Sequence, residues 1–270
     1  MHTLTPPQED TTPASRDPRR WLVLAVMSVG TLIVFLDTTV MNTALPNIAT
    51  ELQASTSELQ WVLDSYVLIL AGLLMLGGSI GDRYGRRNWM TVGLVLFAAG
   101  SVFGALATTI ESLIVARGIQ GLGAALVLPA TLSIVTNVFE RDERSKAIAI
   151  WTAVGGLGIG LGPAIGGSLV DRWDWSAAFW IHVPVIALAL VGQLFVPESR
   201  DPRNIGLDVK GALAATGGIT ALVYGVIQGS EAGWTSAEIV GSFVAAAALL
   251  AAFGFIERTA EHPMLPLHFF

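Results

Sequence analysis

"LGGSIGDRYGRRNWMTV", residues 76–92, places Asp82, Arg83, Arg86 and Arg87 within six positions, with about twenty mostly apolar residues on either side. Water suits the charged knot and hydrocarbon suits its flanks, so the stretch reads as a turn between two membrane-crossing segments. Composition points the same way. Hydrophobic residues make up 53% of the chain and charged residues 13%, with a mean hydropathy of +0.63. A globular protein carries roughly 25% charged residues. A chain this poor in charge would present apolar surface to water almost everywhere, and a bilayer removes that penalty. There is no cysteine, which excludes a disulfide framework and thiol chemistry.

Working outward from the knot, eight stretches are long and apolar enough to cross hydrocarbon: 21–43, 59–80, 88–108, 111–138, 147–170, 178–197, 208–228 and 239–256. A core of about 30 Å needs roughly 20 helical residues. Backbone groups in lipid must bond within their own segment, so the spans are helices, and the alternation of a membrane β-barrel is absent. The expected fold is an all-α integral membrane protein.

Lysine and arginine orient it. The side that holds the N-terminus receives Arg16, Arg19, Arg20, Arg83, Arg86, Arg87, Arg141, Arg144, Lys146, Arg200, Arg203, Lys210 and Arg258, whereas the opposite side receives only Arg172. By the positive-inside rule both ends of the chain are expected in the cytoplasm, as a multi-pass protein of the cell membrane. Residues 1–20 are polar and proline-containing, and a disordered cytoplasmic tail is expected there. The first span is too long for a cleaved signal peptide and lacks a clear small-residue cleavage site.

Three ionisable residues fall clearly inside spans: Asp37, Asp64 and Arg117. Such residues are costly in lipid and are functional candidates for that reason. At about 1.5 Å per residue they lie roughly 24, 22 and 21 Å above the cytoplasmic edge, in one layer of the outer half. A desolvated carboxyl favours its neutral form and a neighbouring guanidinium favours the ion. Asp37 is therefore the expected proton carrier, with Arg117 as a permanent charge that modulates it; the plain alternative for Asp37 is a carboxyl solvated at headgroup level at the helix end. Asp64 stays open between a second carboxyl, a contact for a cationic substrate and a group solvated at the headgroups. For Arg117 a purely structural ion pair is the plain alternative.

The fifth span, "WTAVGGLGIGLGPAIGGSLV" (151–170), repeats glycine at 158, 162 and 166, next to Pro163 and Gly167. That periodicity leaves one face nearly bare for close helix contact, and Pro163 favours a bend. A bendable gate helix is expected; ordinary helix packing is the alternative. In the hairpin, Gly85 permits the tight turn. Asp82 ends its helix where the dipole is negative, so it needs Arg83, Arg86, Arg87 or another helix's positive end beside it. No phosphate-binding loop and no nucleophile–base pair is present, and the histidines (2, 182, 262 and 268) lack metal-ligand spacing. No enzyme, cofactor, metal or nucleic-acid partner is expected, and His182 reads as packed or interfacial.

Taken together, these stretches resemble the major facilitator superfamily, and within it the fourteen-span drug:proton antiporters of the EmrB/QacA type. "GGSIGDRYGRR" is similar to the loop signature between helices two and three, through Gly78, Asp82, Arg83, Gly85, Arg86 and Arg87. "LDTTVMNTALP" resembles the helix-one signature through Asp37, Thr39, Asn42, Ala44 and Pro46. "LIVARGIQGLGAA" resembles that of helix four through Arg117, Gln120, Gly121 and Gly123. "GIGLGPAIGG" resembles the antiporter signature of helix five through Gly158, Gly162, Pro163, Gly166 and Gly167. "WVLDSYVL" resembles the helix-two segment, whose Asp64 only some members carry. The chain departs from the family at "WDWSAAFWIHVP", where members usually show "WRW" and "NVP".

The resemblance implies a six-helix N-terminal bundle over 21–197, a cytoplasmic connection over 198–207, two linker helices over 208–256, and over 257–270 a lead into a second half that is missing. It implies alternating access, with Asp82 pairing to a helix of the second half when the cytoplasmic gate is shut. The expected activity is export of a lipophilic, often cationic, compound in exchange for protons, and the 270-residue chain alone is expected to be inactive. Two other readings stay open: an exporter or importer of one defined solute, and a non-transporting membrane subunit that assembles with a separate second half.

Overall fold

The computed structural model describes residues 17–201 and 208–259. Most of the expected tail, residues 202–207 of the connection and residues 260–270 of the lead fall outside the described residues. Among those described, all regular structure is helical: α1 (Arg20–Glu51), α2 (Thr56–Tyr84), α3 (Arg86–Ala105), α4 (Ile110–Val138), α5 (Arg141–Arg172), α6 (Ala177–Trp180), α7 (His182–Gly192, extended by a 3-10 turn, Gln193–Phe195), α8 (Val209–Ala232) and α9 (Ala237–Thr259). Eight of these units are long and apolar enough to cross a membrane, α6 and α7 forming one of them.

Two helix ends lie well beyond the apolar stretches that mark them in the sequence. α1 continues to Glu51, through Pro46. The proline removes the donor that would serve the carbonyl of Asn42, and Asn42 is exposed, so the loss falls at the periphery. α5 begins at Arg141 because its polar first turn is good helix start: Asp142 and Glu143 sit where the dipole favours anions. Glu143 also ties this end to α1, accepting from Arg20 Nε at 2.8 Å. On the opposite side, α2 and α4 start at capping boxes, Ser55 with Glu58 and Thr109 with Ser112.

α1 and α4 occupy the middle of the bundle. α1 packs against α5, α4 and α7, while α4 also packs against α2 and α3. α8 and α9 form a pair that docks through α8 on α2. Ser57 and Gln228 are hydrogen-bonded across that contact, and the Trp61 and Tyr224 rings lie 6.0 Å apart. Large apolar side chains such as Leu194 (77% exposed) and Phe255 (70%) point outward, the arrangement lipid favours.

The interior divides into two apolar clusters along the bundle axis. One contains Ile33, Val34, Tyr66, Phe97, Ala124 and Ile186. The other contains Leu36, Val40, Val62, Ala105, Leu113 and Phe179. α1 passes from one cluster to the other between Val34 and Leu36, and α4 between Leu113 and Ala124, about three turns. Asp37, Ser101, Arg117 and His182 all lie at that crossing.

Candidate functional site

A buried charge pair occupies the seam. Arg117 on α4 donates from Nη1 to Asp37 Oδ2 at 2.6 Å and to Oδ1 at 2.9 Å. The two side chains are 1% and 0% exposed. A buried ion pair persists only where its remaining donors and acceptors are also met, and the surrounding helices meet them. Arg117 Nε donates to the Val62 carbonyl of α2 at 3.1 Å, and Nη1 to Gln120 Oε1 at 2.8 Å. Gln120 Nε2 donates to Ser101 Oγ of α3 at 2.9 Å and to Asp37 Oδ1 at 3.4 Å. The Tyr66 ring lies under the guanidinium, 4.4 Å from Cζ, and its hydroxyl donates to the Val34 carbonyl at 3.1 Å. Cation–π attraction of this kind strengthens when water is excluded.

His182 also lies in the seam. Of the two environments its sequence position allows, packed or interfacial, it takes the first, at 1% exposure. Its Nε2 is 3.7 Å from Asp37 Oδ1, and its ring stands edge-on to Phe97 at 5.5 Å.

Asp64 does not join this group. Val62, Ser65 and Tyr66 form the buried face of α2, and Asp64 lies about 200° round the helix from Val62. It is half-buried, in a cleft of about 530 Å³ between α2 and α8, lined by Gln60, Leu63, Val223, Val226, Ile227 and Ser230 among others.

The glycines of α5 divide by face. A side chain at Gly158 would meet the Leu32 carbonyl at 2.9 Å, and one at Gly166 would meet Val40 Cα at 3.1 Å. Gly162 sits directly on Thr39, whose hydroxyl donates to the Gly158 carbonyl at 3.4 Å. These three positions bring α5 onto the helix that carries Asp37. Gly167 lies outside that contact, with open space beside it. Pro163 is exposed, and α5 continues through it as one helix.

At the hairpin a single residue, Gly85 (φ 122°), joins α2 to α3. Asp82 Oδ1 accepts from Arg86 Nε at 2.7 Å, which identifies its compensating cation. Gly78 packs against Pro129 of α4, and Arg83 stacks over Tyr84 with its Cζ 5.4 Å from the ring. Glu198, which sequence reasoning missed, serves the start of α3: its oxygens accept from Arg87 N at 3.1 Å and Asn88 N at 3.2 Å. The stretch of chain around it is pinned to the hairpin, with Arg86 N donating to the Ser199 carbonyl at 3.0 Å and Asp201 N to the Asp82 carbonyl at 2.9 Å. A sequence signal exists for it. α3 follows Gly85 with no serine, threonine, aspartate or asparagine to cap it, so its first amides need an acceptor from elsewhere.

Among the described residues no three histidine, aspartate or glutamate side chains gather closely enough to hold a metal. What the seam itself offers is a buried, hydrogen-bonded charge pair.

The sequence profile of the Major Facilitator Superfamily matches residues 27–256. The chain is 40% identical over 251 residues to the Multidrug resistance protein Stp of Mycobacterium tuberculosis, covering 92% of this chain and 47% of that protein. It is 38% identical to the Puromycin resistance protein pur8 of Streptomyces alboniger, covering 93% and 50% respectively. This chain thus spans about half the length of these relatives. A crystal structure of the peptide transporter POT in complex with sulfate shares the fold, with a TM-score of 0.63 at 18% identity, covering 90% of this chain and 53% of that one. On the residues matched and the likeness to full-length relatives, the chain belongs to the Major Facilitator Superfamily.

Proposed function

We propose that this chain supplies the N-terminal bundle and linker helices of a proton-coupled exporter of lipophilic, often cationic, drugs, of the fourteen-span antiporter branch. Both ends face the cytoplasm, and a second half of the kind its relatives possess completes the transport path. The observation that carries the reading is the sealed Asp37–Arg117 pair, 2.6 Å apart at the centre of the bundle. The relatives named for multidrug and puromycin resistance support the class of cargo.

The mechanism follows from what a proton does to that pair. With Asp37 ionised, Arg117 is held by both carboxylate oxygens and the helices α1 and α4 are locked together. Protonation of Asp37 removes the charge–charge attraction and leaves Arg117 a weaker, neutral contact there beside the Gln120 and Val62 oxygens and the Tyr66 ring. α1 is then free to shift against α4, and its close contact with the glycine face of α5 carries the movement to the gate helix. Asp64, in an apolar cleft, offers an anion to a lipophilic cation. The Asp82 hairpin latches the cytoplasmic gate against the second half.

The test uses everted vesicles from cells that express the gene in its genomic context, with ethidium and puromycin as probes. An imposed proton gradient drives transport, and Asp37→Asn abolishes it. Transport that a protonophore leaves untouched overturns the proton coupling. Proton-driven efflux by the isolated 270-residue chain overturns the need for a second half.

A further inference from the structure

The imidazole of His182 has no role in the mechanism above, yet it is the most unusual polar group of the seam. It is 1% exposed, and among the described residues neither Nδ1 nor Nε2 has a hydrogen-bond partner. Buried polar groups nearly always have one, and leaving a donor or acceptor unmet costs roughly 1–3 kcal/mol. The apolar neighbours give no reason for an imidazole here: Phe97 of α3 stands edge-on to the ring, and Ile186 lies one turn further along α7. The carboxylate that faces it is that of Asp37 on α1, with Oδ1 3.7 Å from Nε2.

We propose that His182 is a second proton position of the Asp37 site, exchanging one proton between its Nε2 and Asp37 Oδ1. The exchange is balanced within the pair. An imidazolium beside a carboxylate becomes a neutral imidazole beside a carboxylic acid, by breaking one N–H bond and making one O–H bond. A closure of roughly 0.5–1 Å brings the atoms into hydrogen-bond range. Asp37 then has two cationic partners of different kinds. Arg117 is charged at every accessible pH, whereas histidine is the side chain whose charge ordinarily changes near neutrality. The groups that bear on the ring are Asp37 from α1, Arg117 from α4 and the backbone of Phe179 from α6. Tyr66 of α2 lies beyond them, under the guanidinium, and α3 contributes no ionisable group at this level. When Asp37 takes the proton and Arg117 loosens its hold, His182 is the neutral imidazole, and the proton's return to Nε2 restores a cation beside Asp37 inside a seam that water does not reach.

The inference rests on the proton-coupled reading, but its test does not need transport. Imidazole nitrogen and aspartate carboxyl resonances of the 270-residue chain in lipid nanodiscs are followed from about pH 5 to 9. His182 is identified as the signal missing from both His182→Asn and His182→Gln, so one poorly folding variant does not block the assignment. The expected result is a single coupled transition shared by His182 and Asp37, and a displacement of the His182 midpoint by about one pH unit or more in Asp37→Asn. A His182 signal that stays constant over this range, or one that ignores Asp37→Asn, overturns the proposal. In the vesicle assay, His182→Asn shifts the pH profile of transport; an unchanged profile overturns it too. Uncoupled spectra beside proton-driven transport sink this inference alone, whereas coupled spectra beside proton-independent transport sink the antiporter reading alone.

Discussion

Two aspartate–arginine pairs in this chain have nearly the same separation and different surroundings. Arg117 and Asp37 meet at 2.6 Å with side chains 1% and 0% exposed; Arg86 and Asp82 meet at 2.7 Å with side chains 14% and 23% exposed. Distance therefore says little about what each pair is worth. In the seam neither charge has water to fall back on, so losing one partner strands the other. At the hairpin water and salt replace a lost partner at little cost. On the proposed mechanism the first pair is a lock whose state a proton changes, and the second is a water-reached contact that another element can exchange.

The largest effect comes from breaking the buried pair on one side. Arg117→Met leaves Asp37 without its permanent cation, and a loss of about 3–5 kcal/mol is expected. Thermal unfolding in detergent reads it directly. The double variant Asp37→Leu/Arg117→Met removes both charges and regains most of that stability. A double variant as unstable as the single one would show that the seam's hydrogen-bond network, rather than the charge pair, holds the helices.

A second effect tests how tightly the helix of the buried pair is gripped. Gly162→Val drives a side chain into Thr39 of α1 and is expected to cost about 1–3 kcal/mol. Gly160→Ala, on the open side of α5, meets nothing within 4 Å and is expected to raise stability by up to about 1 kcal/mol. Equal responses at the two positions would break the link between the glycine face and Asp37's helix.

Glu198→Ala comes third. It removes the acceptor for the first amides of α3 and is expected to cost about 0.5–2 kcal/mol, with faster amide exchange confined to Arg87 and Asn88. Exchange that spreads along α2 instead would mean that Glu198 braces the whole hairpin.

These sites differ in how far the sequence exposes them, and the reason is geometric. Rise per residue converts a count into a height, so counting alone puts Asp37 and Arg117 at one level. Height carries no azimuth: Asp64 shares the level and faces α8 because it sits about 200° from Val62. Glycine spacing does carry azimuth, and 158, 162 and 166 all meet α1, whereas Gly167, one step round, does not. His182 is obscured because an imidazole near a span end looks equally suited to headgroups, and only the packing of α7 against α1 and α3 turns it inward. Glu198 lies more than 100 residues from the amides it serves, a pairing that no local pattern encodes. The helical architecture itself is legible throughout, since composition and segment length leave lipid-spanning helices as the solution. The ends of α1 and α5 that run past their apolar stretches are less so, because polar residues continue a helix as readily as they end one.

The smallest stability effect is expected from Asp82→Asn, and it separates the two pairs most sharply. A half-buried ion pair that water still reaches, like Arg86–Asp82, lies close to the surface case of about 0–1 kcal/mol and weakens as salt is raised. Unfolding of the variant should therefore nearly match that of the parent, and raising salt to about 1 M should erase the difference, because the screening length falls to about 3 Å. The same salt should leave the Asp37–Arg117 seam untouched, since ions do not enter it. If the hairpin carboxylate latches a gate, Asp82→Asn should nonetheless lose most of its transport in vesicles, a large functional loss on an intact fold. A variant that unfolds early, or one that transports at the parental rate, would each deny the hairpin that role. In the first case Asp82 would be structural like Asp37, and in the second it would be topology alone.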